Sequence, residues 1–215
     1  MTPCAAILRI GLRLGIVELR QYTLRPGQRD VLIDLFAREL AAGQEALGMM
    51  ILGQFRDLND PDRFVWVRGF PDMAARPGAL EAFYTGPVWK EHGKAANATM
   101  IDSDDVLLLR PAGPQPPKDF MAPGFVVAGV HYFDEPVDNS FVERFERVLA
   151  PELTQTGGTV LGSYVTEQSQ NNFPALPVRE GENVFVWFAR FPEGLPDELP
   201  LDGNVELLEL APALR

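Results

Sequence analysis

The stretch Phe64-Val65-Trp66-Val67-Arg68-Gly69-Phe70-Pro71-Asp72 decides the fold, because the chain writes it twice. Its counterpart, Phe185-Val186-Trp187-Phe188-Ala189-Arg190-Phe191-Pro192-Glu193, shares five of nine residues. Outward from this pair, Leu52-Gly53-Gln54-Phe55 returns as Leu161-Gly162-Ser163-Tyr164, Tyr22 as Tyr132, and Val106 to Leu109 as Val205 to Leu208, all in the same order. Matches that keep their order mark an internal repeat. Each copy reads strand, helix, strand, strand, helical segment, strand. In the first, Val17 and Leu19 alternate with Glu18 and Arg20 across a strand from Ile16 to Thr23. Pro26 then suits the first turn of a helix whose Leu32, Leu35, Phe36 and Leu40 share one face. In the second, Ser140 and Glu143 are spaced as a capping box ahead of an apolar stripe of Phe141, Phe145, Val148 and Leu149. Further strands are predicted over 47–56, 64–70, 159–167 and 184–191.

The order βαββαβ is ferredoxin-like, an α+β sheet with helices on one face and the other face in need of cover. The second copy supplies that cover. The expected fold is therefore α+β: two tandem ferredoxin-like units forming a pseudo-dimeric α+β barrel within one chain, with a further homodimer left open. The copies are unequal. The Trp-containing strands are offset by 121 positions and the last strands by 99, so the second unit is 22 residues shorter there. It lacks most of its second helix, which the first carries as Gly78 to Tyr84 and Pro87 to Met100. Five prolines between Pro111 and Gly124 break any helix or central strand. The expected divisions are an extension over 1–15, a first unit over 16–110, a linker over 111–124 and a second unit over 125–215.

The 215 residues are 46% apolar and 23% charged, close to globular averages of about 45–50% and about 25%. Nineteen Lys and Arg against thirty Asp and Glu give a net charge of −11, a balance that repels phosphate backbones and anionic lipid. Nucleic acid and membrane are not expected as partners. The single cysteine, Cys4, allows no internal disulfide, and a cytoplasmic location is expected. Phosphate-binding loops, dinucleotide fingerprints, nucleophile elbows and His-x-x-x-His pairs are missing from the sequence. Asp102, Asp104 and Asp105 lack EF-hand spacing and read as a solvated turn. Neither a cofactor nor a metal is expected.

The run Phe83-Tyr84-Thr85-Gly86-Pro87-Val88-Trp89-Lys90-Glu91-His92, continued by Ala95 to Ser103 and Val106 to Leu109, resembles the NIPSNAP family, as does the opening Val17 to Gly27. The likeness covers about Ile16 to Pro111. The second copy resembles the family only as a degenerate repeat without the Trp-Lys-x-His helix. The resemblance implies the dimeric α+β barrel group, whose members include cofactor-independent oxygenases, haem-degrading enzymes and stress-response binding proteins. It also implies a pocket between sheet and helix in the first unit, without naming a reaction.

His92 is the candidate proton carrier, because imidazole titrates near neutral pH; the plainer alternative is a local packing role. Arg20 and Arg68 offer planar donors for a carboxylate or enolate, or pair with Glu18 or Glu45 as structural bridges. Tyr22, Trp66, Tyr84, Trp89 and Asn97 are candidate substrate-binding residues, although Trp66 and Trp187 share a repeat position, which favours packing. His131 is expected to be structural. The function read from these residues is binding of a small organic molecule in the first unit, extending to oxygenase-like or isomerase-like catalysis. One alternative is a noncatalytic scaffold that meets a protein partner. The other is a haem-binding protein with His92 as axial ligand.

Overall fold

The computed structural model describes residues 14–113, 120–201 and 203–213. Its first half runs β1 (Ile16–Leu24), α1 (Arg29–Leu35), a π-helical segment (Phe36–Leu40), α2 (Ala41–Glu45), β2 (Met50–Asp57), β3 (Arg63–Phe70), α3 (Ala75–Tyr84), α4 (Pro87–Thr99) and β4 (Met100–Pro111). The second half runs β5 (Phe125–Phe133), α5 (Asn139–Arg144), a second π-helical segment (Phe145–Leu149), α6 (Ala150–Gln155), β6 (Thr159–Thr166), β7 (Asn183–Phe191) and β8 (Val205–Pro212). The fold is mixed α+β. Its eight strands close into one antiparallel barrel in the order β1-β3-β2-β8-β5-β7-β6-β4. Two short seams join the halves, Phe55 to Asp57 against Pro212 to Leu210, and Leu109 to Pro111 against Thr166 to Tyr164. Closure gives each described strand a neighbour on both sides, over three residues only at the two seams.

Strand alternation sends Val17, Leu19, Val65 and Val67 into the barrel to meet Val126, Ala128, Val186 and Phe188. The lumen is packed. Phe120, 1% exposed, packs into it with its ring 5.0 Å from Phe188, so the proline-rich segment does more than span a gap. Residues 1–13, most of the predicted extension, lie outside the described residues.

The strand register corrects the repeat by one residue. Tyr22 lies opposite Phe64, and His131 lies opposite Phe185. Tyr132 instead faces Val184 and packs with the barrel interior. A one-residue shift changes the face of a strand, so the counterpart of Tyr22 is His131. That histidine is buried and accepts from Trp187 Nε1 at 3.2 Å. The last strands also realign: Arg20 pairs with Val106 and its counterpart Gly129 with Leu207, two residues from the predicted match and on the same face.

The helices depart from prediction at their ends. Pro26 precedes a turn at Gly27, whose φ is +75°, and α1 starts only after Gln28. The cap of α5 is Asp138, whose carboxylate accepts from Ser140 N, so Ser140 and Glu143 form no capping box. Leu32, Phe36, Leu40 and Gln44 are buried at a spacing of four, and so are Phe145, Leu149 and Leu153. An α-helix of 3.6 residues per turn drifts off such a spacing; the π segments take up the difference. Val148 is thereby turned outward to 45% exposure, against the predicted stripe. Between β7 and β8 the described residues contain no helix. Leu195 and Leu199 pack against the second half's core there.

Candidate functional site

β1 and β3 place Glu18, Arg20, Tyr22, Trp66 and Arg68 on the face that looks at the helices, by simple alternation. Register sets Glu18 beside Arg68 and Arg20 beside Trp66. The Glu18 carboxylate accepts from Arg20 Nη1 at 2.7 Å and from Arg68 Nη2 at 2.6 Å, both at Oε2. From α3, Arg76 Nε donates to Oε1 at 2.8 Å. Gln44 Oε1 accepts from Arg68 Nη1 at 2.8 Å, and Tyr22 Oη accepts from Arg20 Nε at 2.9 Å. The guanidinium carbons of Arg20 and Arg68 lie 5.5 and 5.0 Å from the Trp66 ring centre.

Three guanidiniums thus share one carboxylate, and all four groups are at most 1% exposed. Arginine does not shed its proton in a protein, so the layer holds positive charge that Glu18 does not neutralise. Burial on its own raises the Glu18 pKa, but Arg68, Arg20 and Arg76 together outweigh it and hold the carboxyl below the usual range. Burial pulls the Arg76 pKa down, with Glu18 opposing. It also raises that of the Tyr22 phenol, which keeps its proton at neutral pH. Three buried donors of this face, Trp66 Nε1, Arg76 Nη2 and Gln54 Nε2, have no hydrogen-bond partner among the described residues. Such groups cost free energy unless something accepts from them.

The layer is roofed from the other half of the chain. Residues 167–182, between β6 and β7, form a strap tied to β4 by Glu167 N to Leu108 O at 2.8 Å and Arg179 N to Val106 O at 2.9 Å. Between these ties, Asn171 Oδ1 and Asn172 Oδ1 each accept from Arg76 Nη1 at 2.9 Å. Phe173 stacks on Tyr84 at 6.4 Å, and Tyr84 meets Trp89 edge-on at 4.7 Å. The layer occurs once. Register puts Val127, Gly129 and Ala189 where the first half has Glu18, Arg20 and Arg68.

Of the residues singled out in the sequence, Arg20, Arg68, Tyr22 and Trp66 meet in this layer, and Tyr84 and Trp89 form its aromatic rim. The other two lie elsewhere. Asn97 is exposed on α4. His92, 25% exposed, points its Nε2 at Glu39 (3.6 Å) and Glu91 (3.9 Å). Its Nε2 faces acidic side chains, a setting that does not suit a haem with anionic propionates. His92→Ala is expected to change stability by less than about 1 kcal/mol, as changes at partly exposed side chains with loose contacts do, read by urea denaturation. The space between sheet and helices of the first half, where a pocket is expected, holds the charged layer with the strap lying across it. A groove of about 230 Å³ lies in the second half, beside Phe145, Leu149 and Leu201. Glu18 was visible only as a bridge partner, while Arg76 and the strap asparagines carried no sequence signal.

Similarity to known proteins follows the same division of the chain. Residues 17–114 match the model of the NIPSNAP family. They are a NIPSNAP domain. The match holds β1 to β4 and therefore the guanidinium layer, while the roof lies outside it. Two solved structures share the fold over nearly the whole chain. A candidate monooxygenase from Lactobacillus acidophilus is 14% identical, with 94% of this chain and 95% of that one covered and a TM-score of 0.55. Another, from Fusobacterium nucleatum, is 10% identical, with 94% of each covered and a TM-score of 0.59. A NIPSNAP-like domain protein from Burkholderia xenovorans is 27% identical over 47% of this chain and 89% of its own, with a TM-score of 0.43. No curated protein matches. No described helix is long and apolar enough to cross a membrane.

Proposed function

We propose that the protein binds a small organic molecule between the sheet and the α3–α4 helices of its NIPSNAP domain, and promotes oxygenase-like or isomerase-like chemistry through an enolate. The observation that carries this reading is the excess of buried guanidinium over carboxylate beside donors that have no acceptor among the described residues. Fixed positive charge in a dry site stabilises a carbonyl oxygen as it becomes anionic. Arg20 and Arg68 fill that role. Tyr22 keeps its proton and suits return of one to carbon, whereas His92, paired with Glu39, stands outside the layer. In an isomerase-like course Tyr22 gives its proton to a carbon of an enol and the resulting phenolate takes the enol hydroxyl proton, with no net redox change; in an oxygenase-like course molecular oxygen is the co-reactant that accepts the substrate's electrons. We further read the chain as a tandem of ferredoxin-like units, supported by bulges at Ile51/Gly53 and Val160/Gly162 and by π segments at matching places.

The chain has three tryptophans, hence three indole N–H signals in a nitrogen–proton correlation spectrum, assignable by single Trp→Phe changes. Cyclohexanone, phenol and benzoate are expected to include at least one compound that shifts the Trp66 signal while leaving Trp187, held by His131 in the other half, in place. The reading fails if none of the three moves Trp66, or if Trp187 moves equally.

A further inference from the structure

Arg76 differs from the other two arginines in where its second partner comes from. Glu18 takes its Nε, but its outer edge is divided: Nη1 donates to two amide oxygens of the strap and Nη2 donates to nothing described. A guanidinium edge is shaped for the paired oxygens of a carboxylate. Here two neutral carbonyl oxygens from neighbouring residues occupy half of it, and they bring no charge to a layer with three cations and one anion. Neutral acceptors in that place satisfy hydrogen bonds and leave the electrostatic imbalance as it was.

The strap is also the piece best suited to move. Its backbone is tied to β4 at two points. Asn172 Nδ2 donates to Met73 O at 2.6 Å, Arg179 pairs with Asp105 at 3.3 Å, and Phe173, Leu176 and Val178 are only partly buried against the core. Asn172 itself is exposed while the arginine it touches is not. The other walls are mainly sheet and helix, with Met49 of the α2–β2 loop against Arg68 Nη1.

Resting on the reading of this domain as a binding site, we infer that its ligand is a small monocarboxylate. The carboxylate binds the outer edge of Arg76 in place of the Asn171 and Asn172 side-chain oxygens, and residues 167–182 lift away as a lid. The lid belongs to the half of the chain outside the NIPSNAP match, so the second half regulates access to the site in the first. A bound monoanion lowers the excess positive charge of the layer by one and gives Arg76 Nη2 an acceptor.

The test uses benzoate against benzamide, its neutral counterpart of the same shape, followed by the Trp66 indole signal at constant ionic strength. Benzoate is expected to bind at least ten-fold more tightly. Asn172→Asp places a tethered carboxylate at Arg76; it is expected to weaken benzoate at least ten-fold and to change benzamide less than two-fold. Arg76→Gln is expected to remove the preference for benzoate, and the unshifted Trp187 signal reports that each variant is folded. Benzoate is also expected to speed backbone hydrogen exchange within 167–182. Equal binding of benzoate and benzamide, an Asn172→Asp variant that binds benzoate like the parent, or unchanged strap exchange would each overturn the inference while leaving the binding site standing. If neither compound moves Trp66 the inference falls, and the binding site falls with it only if cyclohexanone and phenol also leave that signal in place.

Discussion

Glu18→Gln is expected to be among the most damaging single changes in the chain, costing about 3–5 kcal/mol, the range found when one member of a buried ion pair is removed and its partners are left charged. The amide matches the carboxylate in shape, so little is lost in packing. What is lost is the carboxylate shared by Arg20, Arg68 and Arg76, each of which donates to it directly. The converse changes should be milder. Arg76→Gln takes a cation from a layer that already has too many, leaving Glu18 with two partners. Urea denaturation of the two variants measures the difference, and equal losses would mean that hydrogen bonds, and not charge balance, set the stability of the layer. Acid adds a second check. Because folding lowers the Glu18 pKa, its contribution is complete above the ordinary carboxylate range of about 4 and fades as pH falls from there towards the lower folded value. The parent should therefore lose stability below about pH 4 more steeply than Glu18→Gln does.

The fold was legible because strands and helices advertise themselves by period, and because this chain repeats its strands. Phe64 to Phe70 and Phe185 to Phe191 are buried on both faces, so nearly every residue is apolar and the copies stay recognisable. The errors fall where period gives no guide. Residue type pairs Tyr22 with Tyr132, while the ladder selects by face and chooses His131. A 3.6-residue count puts Val148 inside, and a π segment, which adds a residue to the turn, moves it out.

The site was half legible for a related reason. Glu18, Arg20 and Tyr22 on one strand and Trp66 and Arg68 on its neighbour follow from alternation alone. Arg76 could not be found this way, since its helix reaches the layer only through tertiary packing. Asn171 and Asn172 lie 95 and 96 residues from it in sequence. His92, the most reactive residue type available, drew attention by chemistry and lies outside the layer, pairing with Glu39.

The second large effect belongs to the half without the charged layer. Trp187→Ala is expected to cost about 3–5 kcal/mol, as truncation of a buried tryptophan does, and towards the upper end because the site cannot collapse. Opposite Trp187 stands Gly129, and a Cβ built there would lie only 2.3 Å from the indole. The ring occupies the space that Arg20 fills in the first half, stacks on Phe145 at 6.4 Å, and donates its N–H to His131. Removing it therefore opens a void facing a residue with no side chain. The same geometry makes Gly129→Ala costly by itself, by about 1–3 kcal/mol, since the fully buried ring must shift to admit a methyl group. Combined, the two changes should offset each other, the methyl entering space the indole has left. A double-mutant cycle in urea is expected to give a favourable coupling of at least about 1 kcal/mol. Strict additivity would show instead that the ring adjusts to Gly129→Ala without strain, and that the glycine is not required by its close approach to Trp187.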